Sequence, residues 1–241
     1  MNWKTCFALT AAVLVAVPPT CAQPHGDQLP GATLKLGAAQ AIPARIALGQ
    51  GVAVKVLRDA CLWTSTDGAN WVKRHSGIEF ALHDIAYGNT LFVAVGNEGA
   101  LVTSADGMCW TVRESRTDER LRAIAYANGV FVAVGYSGTI LTSKNGAHWT
   151  RRKSGTTRRL QGVAFGHGTF VAVGWDGVVL TSTKGNRWTA RDSGVSWRLN
   201  SITFGDGLFV ASGCGDVMIV SDDGSDWKVQ SGRTKRPVAQ P

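Results

Sequence analysis

After residue 22 the chain has no apolar run long enough to cross a membrane, and almost no stretch with helical periodicity. A helical bundle and a helical membrane protein are therefore excluded. Cysteine is scarce, with Cys6, Cys21, Cys61, Cys109 and Cys214 the full set and no CxxC among them. The five histidines, His25, His75, His83, His148 and His167, are scattered without ligand spacing, so no metal site is expected. Tyrosine occurs only at Tyr87, Tyr126 and Tyr136. The 29 glycines recur as turn punctuation and open no helix, which removes a phosphate-loop reading. No cofactor is implied.

The chain does contain an N-terminal export pattern. In residues 1–22, Lys4 precedes the apolar run CFALTAAVLVAV, followed by Pro18-Pro19 and TCA, which reads as a secretory signal cut after Ala22. The sequence VPPT before Cys21 is a poor lipoprotein signal, which argues against lipid anchoring. Residues 23–42 form a leader rich in Pro, Gly and Ala, and residues 233–241 a basic tail. Without Lys4 the mature chain carries 24 basic residues against 17 acidic, a net of +7. Such a balance attracts polyanions. Export sets nucleic acid aside and leaves acidic glycans, lipid headgroups or an acidic protein first, with an acidic protein or an acidic glycan as the expected partner. Three mature cysteines allow at most one internal disulfide.

A repeat organises residues 43–232. TSTDGANWV (64–72) returns as TSADGMCWT, TSKNGAHWT, TSTKGNRWT and VSDDGSDWK, with Trp71, Trp110, Trp149, Trp188 and Trp227 each 39 residues apart. IAYGNTLFVAVG keeps the same period through ITFGDGLFVASG, and a degenerate copy lies at 46–57. Each unit reads as four short strands, A to D, as in LRAIAYA, VFVAVG, TILTS and HWTRRK, separated by Asn-Gly or Ser-Gly turns. Strands apolar on both faces suit sheets sandwiched between other sheets. The expectation is an all-β propeller of five four-stranded blades. The leader is a candidate extra edge strand, and a larger ring built from two chains is the alternative.

The Ser, Asp or Asn, and Trp of each box read as structural: Ser65, Asp67 and Trp71; Ser104, Asp106 and Trp110; Ser143, Asn145 and Trp149; Ser182 and Trp188; Ser221, Asp223 and Trp227. Asp-Gly or Asn-Gly is expected to supply the positive dihedrals of a tight C–D hairpin, with the carboxylate accepting turn amides and the Trp packing between blades. Lys184 breaks the pattern in repeat four, which speaks against a repeated catalytic group. On these residues the chain resembles the Asp-box (BNR) repeat family. Its units are similar to the photosystem II assembly and stability factor type of repeat, although nothing else in the sequence points to photosynthesis. The family box is S-x-D-x-G-x-T-W, whereas this one is S-x-D-G-x-x-W, one residue shorter and without the Thr. The resemblance implies a rigid, often secreted propeller with a structural box, in a family spanning sialidases, glycoside hydrolases, receptors and assembly factors. It does not choose a function.

An enzyme ranks low. A sialidase-like enzyme needs a Tyr nucleophile with an acidic partner, but Tyr87 and Tyr126 occupy the strand position of Phe165 and Phe204 and so read as core, and IPARIA (42–47) has the wrong order for a sialidase signature. Asp59, Glu98 and Asp176 sit at equivalent turn positions and could serve a two-carboxylate hydrolase, but they read as turn formers. Side chains at equivalent loop positions differ between repeats, which favours one asymmetric binding surface over repeated lectin sites. A non-catalytic protein-binding or assembly role ranks first, an acidic-glycan-binding module second and hydrolysis third. The D–A connections and B–C turns should share one face, opposite the boxes. That face would carry Arg58, Arg116, Arg120, Arg122, Tyr136, Arg158, Arg159, Trp175, Trp197 and Arg198. Ring closure would place Cys61 and Cys214 on one rim, where they form a candidate disulfide.

Overall fold

The computed structural model describes residues 45–57 and 60–231. The export segment, the leader, the tail and Arg58 and Asp59 lie outside the described residues. Blade one comprises β1 (Ile46–Gly49), β2 (Val52–Val56), β3 (Cys61–Ser65) and β4 (Val72–His75). Blade two comprises β5 (Leu82–Gly88), β6 (Leu91–Gly96), β7 (Leu101–Ser104) and β8 (Thr111–Val112). Blade three has β9 (Leu121–Ala127), β10 (Val130–Gly135), β11 (Ile140–Ser143) and β12 (Thr150–Arg152). Blade four has β13 (Leu160–Gly166), β14 (Thr169–Gly174), β15 (Val179–Ser182) and β16 (Thr189–Arg191). Blade five has β17 (Leu199–Gly205), β18 (Leu208–Gly213), β19 (Met218–Ser221) and β20 (Lys228–Ser231). Each blade is a four-stranded antiparallel meander, and the innermost strands pack in series. The chain is a five-blade β-propeller.

Alternate residues of strand B face opposite neighbours, because side chains alternate along a strand. From blade two, Phe92 and Ala94 pack toward Val52, Val54 and Val56 of blade one. Val93 and Val95 pack the other way, onto Leu121, Ile124, Phe131 and Trp149 of blade three. The pattern repeats between blades three and four and between four and five. Close-packed faces on both sides explain why strand B carries no polar face in blades two to four.

The type I′ geometry lies in the A–B turns, a correction to the expectation for the box. Asn128 and Gly129 both have positive φ, at 50° and 73°, as do His167 with Gly168 and Asp206 with Gly207. In the box only the glycine is left-handed, Gly107 at 76° for example, and six residues separate Ser143 from Thr150. The box is a longer loop caged by its own side chains. Asp106 Oδ1 accepts the amides of Met108 and Cys109 at 2.8 and 2.9 Å and the Ser104 hydroxyl at 2.9 Å. In every box the indole Nε1–H donates to the box glycine's carbonyl, at 2.8 to 3.2 Å. Gly146 lies against Leu91 and Val93 of the preceding blade, where a Cβ would come within 2.4 Å of Leu91, so the loop itself joins the interface.

Blade five does not close onto blade one among the described residues. No fifth interface cluster forms, and β17 does not pack on β1 as the other inner strands pack on each other. Met218 is 37% exposed, whereas its counterpart Val179 is 1% exposed. Ser201 and Ser212, bonded to each other at 2.8 Å, stand where blade four has Gly162 and Val173. On the facing side of blade one, Lys55 stands where blade two has Ala94, and its ammonium lies 3.9 Å from the centre of the Trp71 ring. The candidate Cys61–Cys214 bond does not form: neither residue is in a disulfide. Among the described residues, no packing draws the two blades together.

Candidate functional site

The candidate face is built from a repeated backbone crossing. The residue after strand B's last glycine donates its amide to the carbonyl just before strand A: Tyr136 to Arg120, Trp175 to Arg159 and Cys214 to Arg198, each at 2.9 Å. The glycines are required for this approach, since a Cβ on Gly135 or Gly174 would lie 2.2 Å from the Arg120 or Arg159 carbonyl oxygen. Each crossing fixes a B–C side chain beside a D–A side chain, as expected for connections sharing one face.

The result is a ladder running across three blades. The Arg120 guanidinium lies 5.1 Å from the Tyr136 ring centre, and Arg159 lies 4.3 Å from both the Tyr136 and the Trp175 ring. Arg198 lies 4.4 Å from Trp175. Arg120 Nη1 also donates to the Tyr136 hydroxyl at 3.4 Å. Stacking holds planar guanidinium groups in place while leaving their N–H edges for a ligand. The ladder ends where the aromatic is replaced, by Asn97 in blade two and Cys214 in blade five.

Beneath it lies a cavity of about 520 Å³ lined by residues of all five blades, including Arg45, His83, Asp84, Arg122, Gln161 and Asn200. Asp84 accepts the amide of Ile85 at 2.9 Å and, across the blade boundary, that of Ile124 at 2.8 Å. Burial pushes its carboxyl up to about 7, against the opposing pull of these amides and of Arg45 and Arg122. Burial pushes His83 the other way, below its ordinary value, although its Nε2 meets Asn97 Oδ1 at 2.6 Å. Arg122 Nε donates to Gln161 Oε1 at 3.2 Å. Three arginines and one carboxylate line this space, an arrangement suited to holding anions. A single carboxylate is one short of the pair used in glycoside cleavage.

Arg120, Tyr136, Arg159, Trp175 and Arg198 are thus brought together, with Arg122 just below. Arg158 instead pairs with Asp176 at 3.1 Å. Arg116 stands apart, highly exposed and 3.9 Å from Glu114. Trp197 packs against the core between blades four and five, so it is not a projecting tip. His83, Asp84 and Arg45 were not anticipated as site residues. The available signal was an Asp in strand A where other repeats have Ala123, Gly162 and Ser201. Among the described residues, no group of three or more His, Cys, Asp or Glu could hold a metal ion, and no helix is long and apolar enough to cross a membrane.

No protein-family model and no curated protein matches the chain. Solved structures do. YCF48 from Cyanidioschyzon merolae is similar at 17% identity and a TM-score of 0.58, over 77% of this chain and 70% of that one. A structure described as YCF48 bound to D1 peptide is similar at 19% identity and a TM-score of 0.60, over 77% of this chain and 66% of that one. A nidogen/laminin complex shares 13% identity with a TM-score of 0.58, over 79% of this chain and 80% of that one. The chain thus spans about two thirds of the length of the YCF48 structures. At these identities the likeness is one of fold.

Proposed function

We propose that this chain is an exported, non-catalytic protein-binding or assembly scaffold whose ladder face grips an acidic partner, on a propeller built from Asp-box-type repeats. The observation that carries this reading is the alternation of Arg120, Tyr136, Arg159, Trp175 and Arg198 above an arginine-lined cavity. Arginines held by aromatic rings lose little side-chain entropy when they engage carboxylates, and their fork geometry suits bidentate contact. That a YCF48 structure of the same fold is described as bound to a peptide supports a protein ligand.

The test is binding of Asp/Glu-rich peptides, followed by fluorescence anisotropy, alongside a panel of sulfated and uronate glycans. Arg159→Ala and Trp175→Ala should each weaken peptide binding about tenfold or more, that is, by about 1.4 kcal/mol or more, while far-UV circular dichroism stays unchanged. Undiminished binding in both folded variants refutes the site. Binding to glycans alone makes the acidic-glycan module the correct reading.

A further inference from the structure

The fourth box lacks the group that every other box supplies. Asp67 Oδ1 accepts the amides of Ala69 and Asn70 at 2.9 and 2.8 Å, and Asp223 Oδ1 those of Ser225 and Asp226 at 2.7 and 3.0 Å. Asn145 Oδ1 does the same for Ala147 and His148 at 3.1 and 3.0 Å. The serine hydroxyl of each box donates to the same oxygen, at 2.9 Å in box one and 3.3 Å in box three. In box four the acceptor position holds Lys184, which can accept nothing. The loop is otherwise conserved in shape: Gly185 keeps φ +71° and Trp188 Nε1 still donates to the Gly185 carbonyl at 3.0 Å.

The consequence is a set of donors converging on an absent acceptor. Ser182 is only 5% exposed, and its Oγ is buried with no hydrogen-bond partner, unlike its four counterparts. The Asn186 and Arg187 amides, equivalent to those bonded elsewhere by Asp or Asn, lie in exposed loop residues and meet no side-chain oxygen among the described residues. A buried polar group left without a partner is costly, so an external acceptor would be favoured there. The cavity beside this loop, about 890 Å³, is lined by Lys144, His148, Arg152 and Lys184 and by no carboxylate. It lies on the face of the A–B turns and boxes, opposite the ladder. We propose that box four is an oxyanion site, in which a carboxylate or sulfate oxygen from a ligand takes the place of the missing Asp oxygen, held by Ser182 Oγ, the Asn186 and Arg187 amides and the Lys184 ammonium.

The experiment is a ¹⁵N NMR titration of the full chain with sodium sulfate and, separately, sodium acetate, each against sodium chloride at matched ionic strength. The Asn186 and Arg187 amides should shift saturably with at least one oxyanion. The response to the two salts tells a sulfate ester from a carboxylate as the natural group. Lys184→Asp supplies the oxygen from within the chain, so it should weaken the response at least tenfold and raise the melting temperature in chloride. Ser182→Ala should weaken it severalfold with the circular dichroism unchanged. Linear, non-saturating shifts overturn the proposal, as does an undiminished response in folded Lys184→Asp or an equal response at the Asn70 amide of box one, which lies outside this cavity.

Discussion

Asp84→Asn separates the carboxyl's contribution to stability from everything else in the cavity beneath the ladder. Its folded value of about 7 lies above the ordinary 3.8, so the native state holds a proton that the unfolded chain has already released. Stability from this group is therefore complete below about pH 4 and is lost as pH rises toward 7. Three pH units at about 1.4 kcal/mol each set a ceiling of about 4 kcal/mol on that loss. His83 works in the opposite direction: its lowered value favours the neutral form in the folded state, so its contribution grows as pH rises toward 6.5. Only the difference between wild type and variant isolates Asp84. Asparagine has one acceptor for two amides, Ile85 and Ile124, and leaving one unmet costs about 1–3 kcal/mol at every pH. Urea melts from pH 4.5 to 8 should show the wild type more stable at the acid end, with the gap shrinking or reversing by pH 8. A pH-independent difference, or one that widens with pH, refutes a proton-holding Asp84.

Two further outcomes test the packing. Gly166→Ala places a Cβ 2.2 Å from the Phe204 ring and should cost about 1–3 kcal/mol, whereas Gly205→Ala, at the same repeat position with nothing within 4 Å, should stay within about 0.5 kcal/mol. Equal losses in thermal melts would mean that blade five's outer face is covered. In the box, burial acts against Asp106, but the Cys109 and Met108 amides and Ser104 outweigh it and hold the carboxyl below its ordinary value. Asp106→Ala should cost about 1–2 kcal/mol at pH 7, and that contribution should fade as pH falls through the depressed folded value; Asp106→Asn should recover most of it, since Asn145 makes the same bonds in box three. A fully destabilised Asp106→Asn at pH 7 would show that charge, not hydrogen bonding, holds the loop.

The architecture was largely legible in the residues, because a 39-residue period with two-sided apolar strands has few solutions, and a chain that repeats its hydrogen-bonding pattern must repeat its fold. Strands Leu121–Ala127 and Val130–Gly135 fall where their patterns placed them. Spacing also identified the D–A and B–C connections as one face, since an up-and-down meander puts alternate turns at opposite ends. What spacing could not assign was which arginines stack: Arg159 sits between two rings, while its chain neighbour Arg158 turns to Asp176. That choice depends on the contact between adjacent blades, which sets Arg159 against Tyr136 of the preceding blade. The buried state of Asp84 likewise required knowing that its second hydrogen bond comes from Ile124 on the next blade. The missing contact between blades five and one, among the described residues, was written locally as Ser201, Ser212 and Lys55 in place of apolar residues. Those substitutions could be read as an uncovered face only once the tertiary structure showed that each strand-B side chain points toward one neighbour or the other.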